Sequence, residues 1–88
     1  MNDFNKLNKL QKTGFNKVFS SIKNRIGKYI INFDVNGNAK VIILTGEYNA
    51  RFGKMNYSQE AYIIDVNGIA EFAVCTTLNT EQVKAFDL

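Results

Sequence analysis

The chain has 88 residues, 45% of them hydrophobic and 22% charged, with a net charge of +3 and no histidine, tryptophan or proline. That length bounds one domain with a modest core, and that composition excludes a disordered tail and, with no long apolar run, a membrane-spanning helix. The lack of histidine removes the commonest general base, the usual triads and imidazole metal sites.

The charge is unevenly placed. Residues 1–28 hold seven basic side chains against Asp3 alone, whereas residues 29–88 hold four basic and seven acidic ones. A basic segment ahead of a mildly acidic body suits nucleic acid, a membrane surface or an acidic protein partner. The N-terminus shows no apolar signal core and Cys75 is the single cysteine. The expectation is an intracellular protein without a disulfide.

In chain order, Phe4, Leu7 and Leu10 begin a helical spacing that Phe15, Val18, Phe19, Ile22 and Ile26 continue. Thr13-Gly14 is expected to interrupt it, leaving a loose arm over residues 1–14 and a firmer helix over 15–27, with Gly27 as its stop. From Lys28 the period changes to two. Tyr29, Ile31, Phe33 and Val35 alternate with polar residues as in a half-buried strand. Residues 39–46, AKVIILTG, are apolar on both faces at their centre, which predicts a strand covered on both sides. Residues 58–66 and 69–77 read as two more strands, and Thr80 as the cap of a last short helix that turns Val83 and Phe86 inward. The fold class is therefore α+β, mainly β: two antiparallel hairpins in a small sheet or partial barrel, with an N-terminal amphipathic helix and a short C-terminal one. All 88 residues form one domain, and 28–88 are its β-rich body.

The tetrapeptide Asp-Val-Asn-Gly occurs twice, at 34–37 and 65–68. A calcium loop would need its glycine at the sixth position and a bidentate Glu at the twelfth, and neither copy has them. Asn-Gly between alternating apolar runs is instead a hairpin signal, since both turn residues of that hairpin take positive φ. Between the hairpins, residues 47–58 show no period and read as a long loop of the kind that carries function.

The residues offer no catalytic constellation. Cys75 lies mid-strand between Val74 and Thr76 and reads as a buried small hydrophobe; Asp34 and Asp65 read as turn residues; Gly46, Gly53 and Lys54 match no phosphate-binding pattern. The reading is a non-enzyme with no cofactor and no metal. Lys6, Lys9, Lys12, Lys17, Lys23 and Arg25 could neutralise nucleic-acid phosphates, and Tyr48, Arg51, Phe52, Lys54 and Tyr57 could extend that contact by stacking on single-stranded bases. The bland alternative is a solvated lysine face on an amphipathic helix. An interfacial membrane helix is disfavoured by the Asn-rich polar face. A fourth reading is an assembly arm that orders against a neighbouring subunit.

Three stretches carry a family resemblance: MNDFNKL at the start, AKVIILTGEY at 39–48 and IAEFAVCTTLNTEQVKAF at 69–86. In this layout the chain resembles the small phage head–tail joining proteins, the lambda-type tail-attachment or stopper family. Members of that family continue with a Gly-Asp turn and a further hairpin that completes a barrel, whereas here Phe86-Asp87-Leu88 are the last residues. The resemblance implies a virion head–tail connector component, found in the virion and in the host cytoplasm during assembly. It implies contacts with portal, connector and tail proteins, self-association into a ring, and an N-terminal segment and long loop that order on assembly. Under it Phe4, Leu7 and Leu10 are candidate contact anchors, and Tyr48, Arg51, Phe52, Lys54 and Tyr57 line the adaptive loop. The residues leave two other functions open: a small basic nucleic-acid-binding module, and a phage-encoded inhibitor that docks on a host protein.

Overall fold

The computed structural model describes residues 4–86. A 3-10 turn (Phe4–Lys6) leads into helix α1 (Lys9–Ser21), followed by strands β1 (Arg25–Phe33), β2 (Ala39–Asn49), β3 (Lys54–Ile64) and β4 (Ala70–Leu78). A one-turn helix α2 (Thr80–Val83) and a 3-10 turn (Lys84–Phe86) close the chain. The strands form one open antiparallel sheet in the order β1-β2-β3-β4. The α+β, mainly β class expected from the patterning is what the chain adopts, as an open sheet without barrel closure.

The doubly apolar second strand is covered on both faces. Toward α1, Val41 and Ile43 of β2 pack with Ile31, Ile64, Phe15, Val18 and Leu7. Toward the other face, Leu44 packs with Val83 and Phe86. An aromatic cluster fastens the helix to β1. The Phe15 ring lies 5.4 Å from Phe4, 5.4 Å from Phe19 and 4.8 Å from Tyr29. Such edge and offset contacts add about 0.5–1.5 kcal/mol per pair beyond area burial.

The N-terminal segment differs from expectation. There is no break at Thr13-Gly14; the helix starts at Lys9, inside the proposed loose arm 1–14, and runs through both residues. Asn8 supplies the missing start signal as a capping box: its side chain accepts from the Gln11 N–H (2.7 Å), and the Gln11 side chain accepts from the Asn8 N–H (3.1 Å). Gly14 is buried where the helix crosses the β3–β4 turn, and that close approach offsets the roughly 1 kcal/mol that glycine costs a helix interior. The helix also stops earlier than 27. Ile22 leaves it in extended geometry because its side chain is needed in the core. Gly27 instead sits in β1 with φ +95°, where the register against β2 shifts between Arg25 and Tyr29. α2 is likewise capped one residue earlier than Thr80, by Asn79 in a second capping box with Gln82.

The supposed long loop 47–58 is mostly sheet. Glu47 pairs with Asn56, Tyr48 with Met55 and Asn49 with Lys54, so β2 and β3 continue together to a tight connection at residues 50–53. No hydrophobic period marks this hairpin because it projects past the core. The protein measures 43 Å along its longest axis and 23 and 20 Å across.

Both Asp-Val-Asn-Gly copies are hairpin turns, one residue out of phase with the simplest Asn-Gly hairpin. Gly37 donates to the Asp34 carbonyl (3.2 Å), and Gly68 to the Asp65 carbonyl (2.9 Å). Each glycine takes φ +84°. This is a turn closed by a left-handed glycine, and the aspartate carboxylate ties it: Asp34 accepts from the N–H groups of Asn36 and Asn38, and Asp65 from those of Asn67 and Ile69.

Candidate functional site: the β4 edge and its two flanking grooves

A four-stranded meander has two edges, and an open edge presents unpaired backbone N–H and C=O groups. The β1 edge is guarded. It carries exposed Arg25 and Lys28 and is broken by the irregularity at Gly27. The β4 edge carries one charged residue, Glu71, and residues 71–77 are all exposed. Phe72 is 58% exposed, Val74 46%, and Ile69, just before the strand, 62%. Two or three apolar side chains this exposed on one unguarded edge are unusual in a small domain that must stay soluble.

A bulge places these side chains. Tyr62 faces Phe72 but Ala61 faces Val74, so β4 holds one extra residue there. Phe72 lies on the α1 face, its ring 5.4 Å from Tyr62, and Val74 points to the opposite face beside Ala61. The edge therefore shows an apolar group on both faces of the sheet. Cys75, read from the sequence as buried, is exposed here, because α1 covers only the start of β4 and no other described element lies over its middle.

Grooves flank the two ends of the strand. Beside its start, Lys17, Val18 and Ser21 of α1 face Ile69 and Ala70 across an open groove of about 430 Å³. Beside its end, Lys54, Tyr57, Thr77, Leu78, Asn79 and Lys84 line a larger one of about 690 Å³. There β3 runs on past β4, since Lys54 to Asn56 pair with β2 alone. Lys84 shares its ammonium with Glu81 at 3.2 Å, an exposed i,i+3 pair of little strength.

Next to the middle of β4, the Tyr62 hydroxyl donates to the Glu60 carboxylate (2.9 Å). Burial first, and then this bond to an anion, push the phenol up to about 12. The group is a fixed hydrogen-bond donor at neutral pH and a poor acid.

The eight residues singled out as partner contacts do not form one site. Leu7 is 3% exposed inside the core, and Phe4 packs on Phe15 beneath the helix, so neither is an anchor held out for a partner. Leu10 remains exposed, at the end of the sheet where the two Asp-Val-Asn-Gly turns lie. Tyr48, Arg51, Phe52, Lys54 and Tyr57 sit at the opposite end. Tyr48 and Phe52 are exposed, and the Arg51 guanidinium stacks 5.8 Å from the Phe52 ring. Lys54 and Tyr57 line the larger groove. The two groups lie at opposite ends of β2, whose 11 residues span about 35 Å.

The basic residues are dispersed as well. Lys9 and Lys17 are exposed on α1, Lys12 lies over the Phe4 ring at 5.6 Å, and Lys23 is exposed after the helix. Arg25 stacks on Phe19 at 5.0 Å and donates to the Ile22 carbonyl (2.8 Å), which ties it to the end of the helix.

Sequence reasoning missed Ile69, Phe72 and Val74. A signal was available: the last strand of a meander is an edge, and IAEFAVCTTL lacks the lysine or proline that usually guards one. No family model, curated protein or solved structure matches the chain.

Proposed function

We propose that this protein is a non-enzymatic assembly protein that acts through protein–protein contacts, with the β4 edge as its main docking surface. One observation carries the reading: β4 is exposed along its length, with Phe72 on one face and Val74 on the other, while the opposite edge is guarded by charge and an irregular register. Strand addition to an open edge gives affinity through main-chain hydrogen bonds and specificity through alternate side chains. The sequence layout supplies the setting we propose for it, a phage virion head–tail connector. In that setting the ordering would fall on partner segments added to β4, since residues 8–21 and 47–56 already form a capped helix and a paired hairpin.

The test is site-specific photo-crosslinking in cells that produce the protein. A photoreactive residue at position 74 should give one discrete crosslinked product, and the same residue at Val35, fully exposed in the β1–β2 turn, should give none. Equal crosslinking from both positions, or none from position 74, would overturn the proposal.

A further inference from the structure

We infer that the β2–β3 hairpin binds single-stranded nucleic acid, with bases stacked on its exposed rings and phosphates held by the cations around it. Beyond the Arg25–Thr45 pair on one side and the Tyr57–Leu78 pair on the other, the sheet narrows to β2 and β3 alone. This two-stranded ribbon, residues 46–56, carries the two most exposed aromatic rings among the described residues, Tyr48 at 66% and Phe52 at 67%. Stacking needs such uncovered rings, and every base has a face to offer them. The Arg51 guanidinium lies 5.8 Å from the Phe52 ring centre, so a cation accompanies the platform.

The charges at this end of the sheet favour an anion. Arg51 and Lys54 belong to the ribbon, and Lys54 lines the groove of about 690 Å³ together with Lys84. Lys23 and Arg25 stand at the start of β1, where the Asn24 carbonyl accepts from the Gly46 N–H (2.9 Å). Among the described residues only Glu47 and Glu81 oppose these five cations here, and Glu81 is already paired with Lys84. The other described carboxylates are elsewhere. Asp34 and Asp65 sit in the Asp-Val-Asn-Gly turns and Glu71 near the start of β4, at the opposite end of the sheet, and Glu60 lies in the middle of β3. Lys9 and Lys12, near the start of α1, are also at that opposite end and take no part. Glu47 and Asn56, both exposed, interrupt the rings, which leaves no continuous apolar face for a bilayer.

The probe is a fluorescently labelled oligothymidylate of about ten nucleotides, within the usual range of site sizes, read by anisotropy with the full chain at low salt. Affinity should fall as salt rises. Lys54→Gln and Lys84→Gln should each make the slope of log affinity against log salt shallower by about 0.7, the effect of one phosphate contact. Lys9→Gln should leave the slope unchanged. Phe52→Ala should weaken binding about tenfold and melt like the wild type, since the ring is exposed. Binding that ignores Phe52→Ala, that depends equally on Lys9, or that is absent at low salt would overturn the inference. Vesicles containing phosphatidylserine are the rival probe: their capture through Phe52 without oligonucleotide binding would overturn it in favour of a lipid contact. None of these results bears on the crosslink from position 74, so the two surfaces stand or fall separately.

Discussion

Gly14 of α1 and Gly68 of the second Asp-Val-Asn-Gly turn meet backbone to backbone, so closely that a Cβ on Gly14 would collide with the Gly68 carbonyl oxygen. The contact is reciprocal: a Cβ on Gly68 would collide with the Leu10 carbonyl of the same helix. Gly14→Ala should therefore destabilise the protein, although alanine is the better helix former. The propensity gain is about 1 kcal/mol, and the forced displacement of packed backbone costs about 1–3 kcal/mol or more. Urea unfolding of the variant should show a lower midpoint; a rise would mean that the helix can lift off the turn without penalty.

Gln11 makes the companion contact with the first turn. Its side-chain amide, 2% exposed, donates to the carbonyls of Gly37 (2.9 Å) and Ile64 (3.3 Å). Gln11→Leu keeps the volume but orphans both carbonyls and the Asn8 N–H, at about 1–3 kcal/mol. Deletion of residues 1–12, which would be harmless for a detachable arm, should abolish cooperative unfolding, because it removes Leu7, Asn8 and Gln11 together. Circular dichroism melts of the two variants decide this, and a native-like melt of the truncated chain would contradict the packing.

Much of this was legible in advance, and the limits are physical. Alternation over Tyr29 to Val35 and the doubly apolar Val41 to Leu44 predict the sheet and its covered strand. The helix start was not read from Asn8 and Gln11, although the capping box is a local signal. The uninterrupted passage through Gly14 has no local signal at all, since it depends on a turn 54 residues away in the chain.

Asp34 should make the first hairpin sensitive to acid. A side-chain bond from Asn38 leads, with backbone N–H bonds from Asn38, Asn36 and Gly37, in holding its carboxyl below the ordinary 3.8. The ionised form has the partners, so the folded state binds the proton more weakly than the unfolded state. Its contribution is complete above pH 3.8 and is lost as pH falls through the lower folded value. Asp34→Asn, whose amide oxygen can still accept from the turn, should flatten this dependence; an unchanged acid limb in the melting temperature would refute it.

Tyr62 should be slow to ionise. Its folded value is raised, so its contribution to stability is complete below pH 10 and is lost as pH climbs through about 12. Ultraviolet difference titration of the wild type and Tyr62→Phe should assign a late phenolate step to this residue. Glu60→Gln should bring the step to lower pH, since it removes the anion that the hydroxyl faces.

The amino-acid sequence by itself determined the strands, the buried centre of the second one and the two glycine turns, because each follows from side-chain period or from one residue's backbone freedom. Tertiary structure alone decided how these are used. It turned the repeated Asp-Val-Asn-Gly from a mere connection into the cradle of α1, because burying Gln11 requires the acceptors that the first folded turn and the end of β3 supply. It absorbed Leu7 into the core, packed Phe4 against it and left Phe72 and Val74 uncovered. An apolar residue's fate depends on whether another element lies above it, and in this sheet the helix covers the start of β4 and leaves the middle of that strand open.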